Sequence, residues 1–207
     1  MRLPLLLATL LHSTLASPLF SLSNTTDPKP WLITTLSTHT SSGRPGNTPY
    51  SYLFVSITDP NTISLGRTRF GDATFPPSTA NCTLRWNAFS NDTAEDPFYH
   101  SIPCELANFN SPRWTMEVQA ANVTGDGPNP TRDFTLKFEQ EMSVILDEGI
   151  ISKRFVGSVG FALGDNLALV CGASGVCGTW LKEERTPQLV VQQVKETRCI
   201  RGNCSTM

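Results

Sequence analysis

The sequence has few charged residues and no cluster of them. Its 207 residues include 16 lysines and arginines and 18 aspartates and glutamates, and the formal net charge is −2. The basic residues are scattered, without the patch or stripe by which proteins hold nucleic acid or an anionic membrane surface. We therefore expect no nucleic-acid partner.

Long apolar segments are also lacking, and no segment reaches the about 20 residues that a membrane-spanning helix requires. A short apolar run, Leu3–Leu11, follows a basic residue, and the small residues Thr14 and Ala16 precede Ser17. This order is typical of a secretory signal peptide. The sequence predicts a signal peptide over residues 1–16, no membrane span, and a secreted, extracellular mature protein.

Motifs of catalytic and metal sites are missing as well. There is no C-x-x-C, and the two histidines of the mature chain, His39 and His100, lie far from any cluster of cysteines, so we predict no metal site and no cofactor. No G-x-S-x-G motif is present and both histidines lie in turn-like contexts, which argues against a Ser-His-Asp triad. A copper oxidative enzyme for polysaccharides would need a histidine where Ser17 or a nearby residue begins the mature chain. We predict no catalytic residue.

Two carboxylates on one face of a strand, Glu139 and Glu141, resemble the acid–base pair of a glycosidase. They alternate with apolar residues and lie beside Lys137, which is typical of a strand face turned to solvent, and we prefer that interpretation. A cell-wall polysaccharide hydrolase with an unrecognised carboxylate site is the enzymatic alternative. A structural cell-wall protein is a third hypothesis.

Cysteine, in contrast, is well represented, with six residues beyond the signal peptide. An even number of cysteines in a secreted chain predicts disulfides. They form three neighbouring groups: Cys82 and Cys104, Cys171 and Cys177, and Cys199 and Cys204. Because turn residues stand within each group, we prefer neighbour pairing. The main alternative crosses the last four, for example Cys171 with Cys199 and Cys177 with Cys204.

Several N-x-S/T sequons in a chain with a signal peptide predict N-glycosylation in a eukaryotic secretory pathway. The five sequons begin at Asn24, Asn81, Asn91, Asn122 and Asn203. Asn81 shares the polar parity of the alternating segment 82–88, which agrees with a glycan that points to solvent.

Apolar residues recur with a period of two along most of the mature chain. We predict a flexible lead-in over residues 17–30 and a β-domain over residues 31–180. A C-terminal extension, residues 181–207, holds the last two cysteines. The clearest alternation, over residues 133–147, continues through a turn into residues 150–163 and predicts a long β-hairpin. Because no helices separate the strands, the sequence predicts an all-β fold, a single-domain antiparallel sandwich or barrel stapled by disulfides.

Three segments depart from simple alternation. Residues 50–57 are apolar on both faces, so we expect this strand to be covered on both sides or to lie at a packed edge. Residues 59–80 contain several glycines and prolines and predict a long loop. Residues 181–195 fit either a strand around Leu189–Val191 or a short helix.

Tryptophans are candidates for a surface on which sugars stack. The four are Trp31, Trp86, Trp114 and Trp180. Trp86 and Trp114 share the parity of apolar neighbours, so we prefer core packing for these two. Trp31 and Trp180 stay open.

Several landmarks follow one another in a recognisable order. They are Trp31-Leu32-Ile33, Leu53-Phe54-Val55-Ser56-Ile57, Cys82, the aromatic-rich segment 98–103 into Cys104, Trp114, the strand 133–140, and Cys171 with Gly175-Val176-Cys177-Gly178. This series resembles the Alternaria major-allergen family, secreted fungal β-barrel proteins found among allergens and plant-interacting effectors. The resemblance covers roughly residues 31–178.

The resemblance implies disulfides Cys82–Cys104 and Cys171–Cys177. In one departure, the family's extra cysteine, associated with covalent dimers, has no counterpart between Ser17 and Pro30. In another, the tail with the last two cysteines is additional. A covalent dimer, and the family's binding of small ligands through its dimer, are therefore not carried over.

Together these observations favour a secreted, non-enzymatic fungal protein of the allergen or effector type. We expect it to bind a host extracellular protein or a cell-wall component such as a glycan. Surface loops commonly carry such contacts, and here we expect them in residues 59–80 and in the turn 122–131.

Overall fold

A computed structural model describes most of the chain beyond the predicted signal peptide. The described residues are 28–106, 112–121, 128–146, 149–183, 187–189, 192–200 and 203–206. The predicted signal peptide, most of the predicted lead-in and the sequons at Asn24 and Asn122 lie outside them. Within the described residues no helix is long and apolar enough to cross a membrane.

The described residues form fifteen strands and a single turn of 3-10 helix at Thr93–Glu95. The strands are β1 (Trp31–Thr40), β2 (Tyr50–Asp59), β3 (Ile63–Thr68), β4 (Gly71–Phe75), β5 (Ser78–Asn87), β6 (Ser101–Pro103), β7 (Glu105–Leu106), β8 (Arg113–Ala120), β9 (Asp133–Leu146), β10 (Gly149–Ala162), β11 (Leu167–Cys171), β12 (Cys177–Leu181), β13 (Gln188–Leu189), β14 (Gln192–Ile200) and β15 (Asn203–Thr206). The prediction of an all-β fold is confirmed.

The strands pair into two antiparallel sheets and one separate hairpin. The first sheet has the order β11-β12-β1-β2-β5-β7, with β13 also paired to β1, and the second has the order β15-β14-β10-β9-β8-β6. Strands β3 and β4 pair only with each other. Because both sheets are open at their edges, the predicted sandwich describes the fold better than the predicted barrel.

The long hairpin predicted from alternation is the centre of the second sheet. Strands β9 and β10 pair without interruption from Asp133↔Ala162 to Leu146↔Gly149. Phe134, Leu136 and Phe138 turn inward and are fully buried. A one-residue slip would move this apolar set to the solvent face, so the burial fixes the register.

Large aromatic side chains join the two sheets. The rings of Trp31 on β1 and Trp114 on β8 meet edge to face with centroids 4.5 Å apart. Trp86 on β5 is also buried, so core packing of Trp86 and Trp114 is confirmed, and Trp31 joins them. Truncating such a residue to alanine typically costs about 3–5 kcal/mol.

A buried polar cluster also crosses between the sheets. The Nε2 of Gln140, on β9, donates to the Oδ2 of Asp59 at 3.0 Å and lies 3.5 Å from the Oγ of Ser78. The indole N–H of Trp114 donates to the same Ser78 hydroxyl at 3.4 Å. These hydrogen bonds join the two sheets and offset part of the cost of burying polar groups, although the Oε1 of Gln140 is buried without a hydrogen-bond partner among the described residues.

The structure pairs the six cysteines as neighbours: Cys82–Cys104, Cys171–Cys177 and Cys199–Cys204. Cys104 stands between β6 of the second sheet and β7 of the first, so its bond to Cys82 fixes the point where the chain changes sheet. The other two bonds join directly opposed residues of β11 with β12 and of β14 with β15.

The prediction of a long loop over residues 59–80 is wrong. The segment contains β3, β4 and the start of β5. At a register shift between Ser64 and Gly66, Gly66 takes a φ of 109°, and Leu65 is buried in the core. Glycine permits that backbone and the apolar side chain anchors the hairpin, two effects that turn-residue counting does not show.

The C-terminal residues add strands to both sheets. Strand β13 pairs with β1, which agrees with the strand interpretation of residues 181–195, and β14 pairs with β10. Glu196 on β14 contacts Arg198 at 2.9 Å and Lys153 at 3.4 Å. Burial raises the pKa of the Glu196 carboxyl, but hydrogen bonds and charges from Arg198 and Lys153 outweigh this and hold the pKa below its usual value.

We predict that the three disulfides contribute unequally to stability. The cysteines of Cys82–Cys104 are 22 residues apart in the sequence and those of Cys199–Cys204 are 5 apart. The loss of unfolded-chain entropy therefore stabilises the fold by about 3 kcal/mol for the first disulfide and about 2 kcal/mol for the second. Replacing both cysteines of each pair by alanine and measuring the free energy of unfolding in urea tests this. Equal losses of unfolding free energy in the two double variants would contradict the prediction that Cys82–Cys104 contributes more than Cys199–Cys204.

Candidate functional site

Strand β2 is apolar on both faces, yet only one of them is covered. Leu53, Val55 and Ile57 point into the core and are fully buried. On the opposite face Tyr52 is 42 % exposed, although β2 lies inside the first sheet between β1 and β5. The expectation of a strand covered on both sides is therefore wrong, because the sandwich has two layers and the first sheet buries one face.

Neighbouring strands extend the aromatic character of this outer face. His39 on β1 opposes Tyr52 on β2, and the two rings stack with centroids 4.9 Å apart and planes 8° from parallel. Ser37 opposes both Phe54 of β2 and Trp180 of β12, and Trp180 is 43 % exposed. We name the surface formed by His39, Tyr50, Tyr52, Phe54 and Trp180 the aromatic face.

Sheet geometry sets the spacing of these rings. Adjacent strands lie about 4.8 Å apart, so Trp180 and Phe54, on either side of β1, stand about 10 Å apart. Short hydroxyl side chains lie among the rings, with Ser37 between Trp180 and Phe54 and Thr83 opposite Phe54 on β5. The aromatic face is therefore a shallow, extended surface of rings interleaved with hydrogen-bonding groups.

A shallow depression adjoins Trp180. It has a volume of about 240 Å³ and is lined by residues of β1 and by the chain around the end of β12. It lies at the irregularity in β1 between Ile33 and Thr35, where the register with β2 shifts by one residue. Thr34, Thr35 and Lys182 supply polar groups beside the indole.

One cation stands at the opposite end of the aromatic face. Arg85 on β5 opposes Tyr52, and its guanidinium carbon lies 3.8 Å from the ring centroid of Tyr50. A guanidinium stacked on a ring in this way is held by the ring quadrupole. The stacking orders Arg85 at the surface.

Two larger grooves lie elsewhere on the molecule. One, of about 980 Å³, separates the β3–β4 hairpin from β8 and β9, and Phe75 and Arg113 line it. The other, of about 460 Å³, lies where Asn91 and Phe98 approach residues 129–131. The described parts of the two segments expected to make contacts, 59–80 and 128–131, thus each line a groove.

The carboxylate pair lies on the outer face of the second sheet. Glu139 is half-buried and forms an ion pair with Arg154, while Glu141 is exposed. Both line a shallow depression shared with Lys153 and Lys195. The ion pair occupies one of the two carboxylates that a glycosidase mechanism requires to be free for acid–base or nucleophilic work.

The described sequons all have exposed asparagines. Asn81, Asn91 and Asn203 lie on β5, after the end of β5, and on β15 respectively. Asn81 opposes Ser56 on the same outer surface of the first sheet as the aromatic face. A glycan at Asn81 would border that face beyond Phe54.

Sequence reasoning identified only part of this surface. Trp180 was a candidate, but Trp31 is buried. His39 was expected in a turn and lies in β1 instead, opposite Tyr52. The available signal was the aromatic parity of residues 50–54.

No protein-family model, curated protein or solved structure matches the chain. The resemblance to the Alternaria allergen family stays a prediction.

We predict that Trp180 dominates the collisional quenching of tryptophan fluorescence. The other three tryptophans are at most 6 % exposed, so iodide should reach Trp180 almost alone. Trp180→Phe is expected to remove most of the iodide-quenchable emission, whereas the control Trp86→Phe should retain it. Persistent quenching in Trp180→Phe would show that the indole is not at the surface.

Proposed function

We propose that this chain is a secreted, non-enzymatic protein that binds an extracellular polysaccharide through its aromatic face. The observation that carries the proposal is the uncovered aromatic side of β2, a strand inside its sheet. Exposed apolar surface of this kind is costly in a monomer and marks interaction sites. Its exposure is accounted for if a ligand covers it.

Sugar chemistry fits the composition of this face. A pyranose ring presents C–H groups on its flat sides and hydroxyl groups around its rim. Aromatic rings offer a matching apolar surface, and the hydroxyls of Ser37 and Thr83 donate and accept hydrogen bonds at the rim. Aromatic residues on strands that lie about 10 Å apart suit an extended chain better than a single small molecule.

Extracellular placement has separate support. Three disulfides are typical of oxidising compartments. The exposed asparagines of the sequons at Asn81, Asn91 and Asn203 are compatible with glycosylation. The predicted signal peptide and the resemblance to secreted fungal allergens and effectors agree with this placement, and a cell wall is then the nearest source of polysaccharide.

The proposal is tested by co-sedimentation with insoluble cell-wall polysaccharides and affinity electrophoresis in soluble ones. Tyr52→Ala and Trp180→Ala should each weaken binding about tenfold, which corresponds to about 1.4 kcal/mol per ring. Ile145→Ala is the matched control, because Ile145 is 82 % exposed on the second sheet. Undiminished binding by both aromatic variants would contradict the proposal.

The same samples test the absence of catalysis. We expect no release of soluble sugar during incubation with any bound polysaccharide. Sugar release that disappears in Glu139→Gln or Glu141→Gln would favour the hydrolase alternative.

A further inference from the structure

We infer that the ligand of the aromatic face is an acidic, uronate-containing polysaccharide, with Arg85 as the residue that binds its carboxylate groups. This inference rests on the proposed function and specifies its ligand. It is carried by the position and the partners of Arg85.

Arg85 lies at the β5 end of the aromatic face. It opposes Tyr52, which in turn opposes His39, so the three residues form one row across β5, β2 and β1. The residue is exposed, and stacking on Tyr50 at 3.8 Å covers a flat side of the guanidinium. Stacking leaves the N–H groups at the guanidinium edge to face a ligand lying across the rings.

The charge of Arg85 is unpaired within the described part of the chain. Ion pairs there join Lys137 to Glu117, Lys153 to Glu196, Arg154 to Glu139, and Arg198 to Glu196. These four ion pairs belong to the second sheet. Among the described residues Arg85 has no carboxylate within ion-pair distance.

Nearby acidic residues are directed elsewhere. Glu105 opposes Asn81, four residues along β5 from Arg85, which is about 13 Å at the rise of a strand. The carboxylate of Glu95 accepts a hydrogen bond from the backbone N–H of Asn87 at 2.9 Å. The end of the aromatic face at Arg85 is therefore positive.

A carboxylate is the group that this arrangement recognises best. The planar guanidinium presents parallel N–H donors that match the two oxygens of a carboxylate, and such charge-assisted bonds are stronger than neutral ones. A uronate residue carries its carboxylate at the rim of a pyranose ring. A sugar stacked on Tyr52 would bring that rim to Arg85, whereas a neutral sugar would leave the charge unused.

The test compares polygalacturonate with its methyl-esterified form, since esterification removes the charge and keeps the sugar backbone. Affinity electrophoresis should show about tenfold weaker binding of the wild-type protein to the ester. Arg85→Gln should bind polygalacturonate about tenfold more weakly than the wild type does. It should bind the methyl ester as strongly as the wild type does. Arg67→Gln, on the separate hairpin, is the matched control and should bind both polymers like the wild type.

Two results would overturn the inference. In one, the wild type binds polygalacturonate and its ester equally, and Arg85→Gln changes neither affinity, while Tyr52→Ala still weakens both. The proposed polysaccharide binding then stands, but the ligand is not a uronate. In the other, the wild type binds neither polymer nor any other polysaccharide, and both proposals fall. Thermal unfolding of Arg85→Gln checks that the variant is folded. Arg85→Lys keeps the charge but loses the planar guanidinium, so it should bind polygalacturonate with a strength between those of the wild type and Arg85→Gln.

Discussion

The edge-to-face contact of Trp31 with Trp114 holds the two sheets together, and the other features depend on it. It lies in a core built from the inner faces of both sheets, beside the polar cluster of Gln140, Asp59 and Ser78. A sandwich of two layers buries one face of each sheet and leaves the other uncovered. The chemistry of each uncovered face is then free to serve another purpose.

The outer faces of the two sheets differ in composition, and packing of the core does not require this difference. The outer face of the second sheet carries the ion pairs of Lys137 with Glu117 and of Arg154 with Glu139, and its apolar residues Ile145 and Ile150 are exposed near the β9–β10 turn. The first sheet shows stacked rings and an arginine without an acidic partner among the described residues. Since folding needs only the inner faces, the composition of the aromatic face supports the proposed binding function.

Much of the fold could be predicted because alternation reports burial directly. The β9–β10 hairpin and the inward positions of Trp86 and Trp114 follow from period two alone. Alternation could not show whether the second apolar side of β2 is covered, because that depends on how many layers pack on the sheet. Nor could it place His39 beside Tyr52, since this neighbourhood arises from strand register between distant segments.

The β3–β4 hairpin was missed for a related reason. Its glycines and prolines suggest a loop, but Leu65 provides an anchor in the core that local composition does not reveal. The disulfides were easier, because short separations with turn residues between them favour neighbour pairing. The aromatic face was the hardest feature to predict, since it draws its residues from β1, β2 and β12, which are far apart in the sequence.

Hydroxyl-radical footprinting of the protein with and without a bound uronate oligosaccharide tests the central claim most directly. Radical oxidation of a side chain falls when a ligand covers it, and mass spectrometry locates the change. The account predicts protection of Tyr52 and Trp180, with no change at Phe70 and Ile145, which are 85 % and 82 % exposed at distant positions. Protection confined to the groove at Phe75, with Tyr52 and Trp180 oxidised as in the free protein, would contradict it.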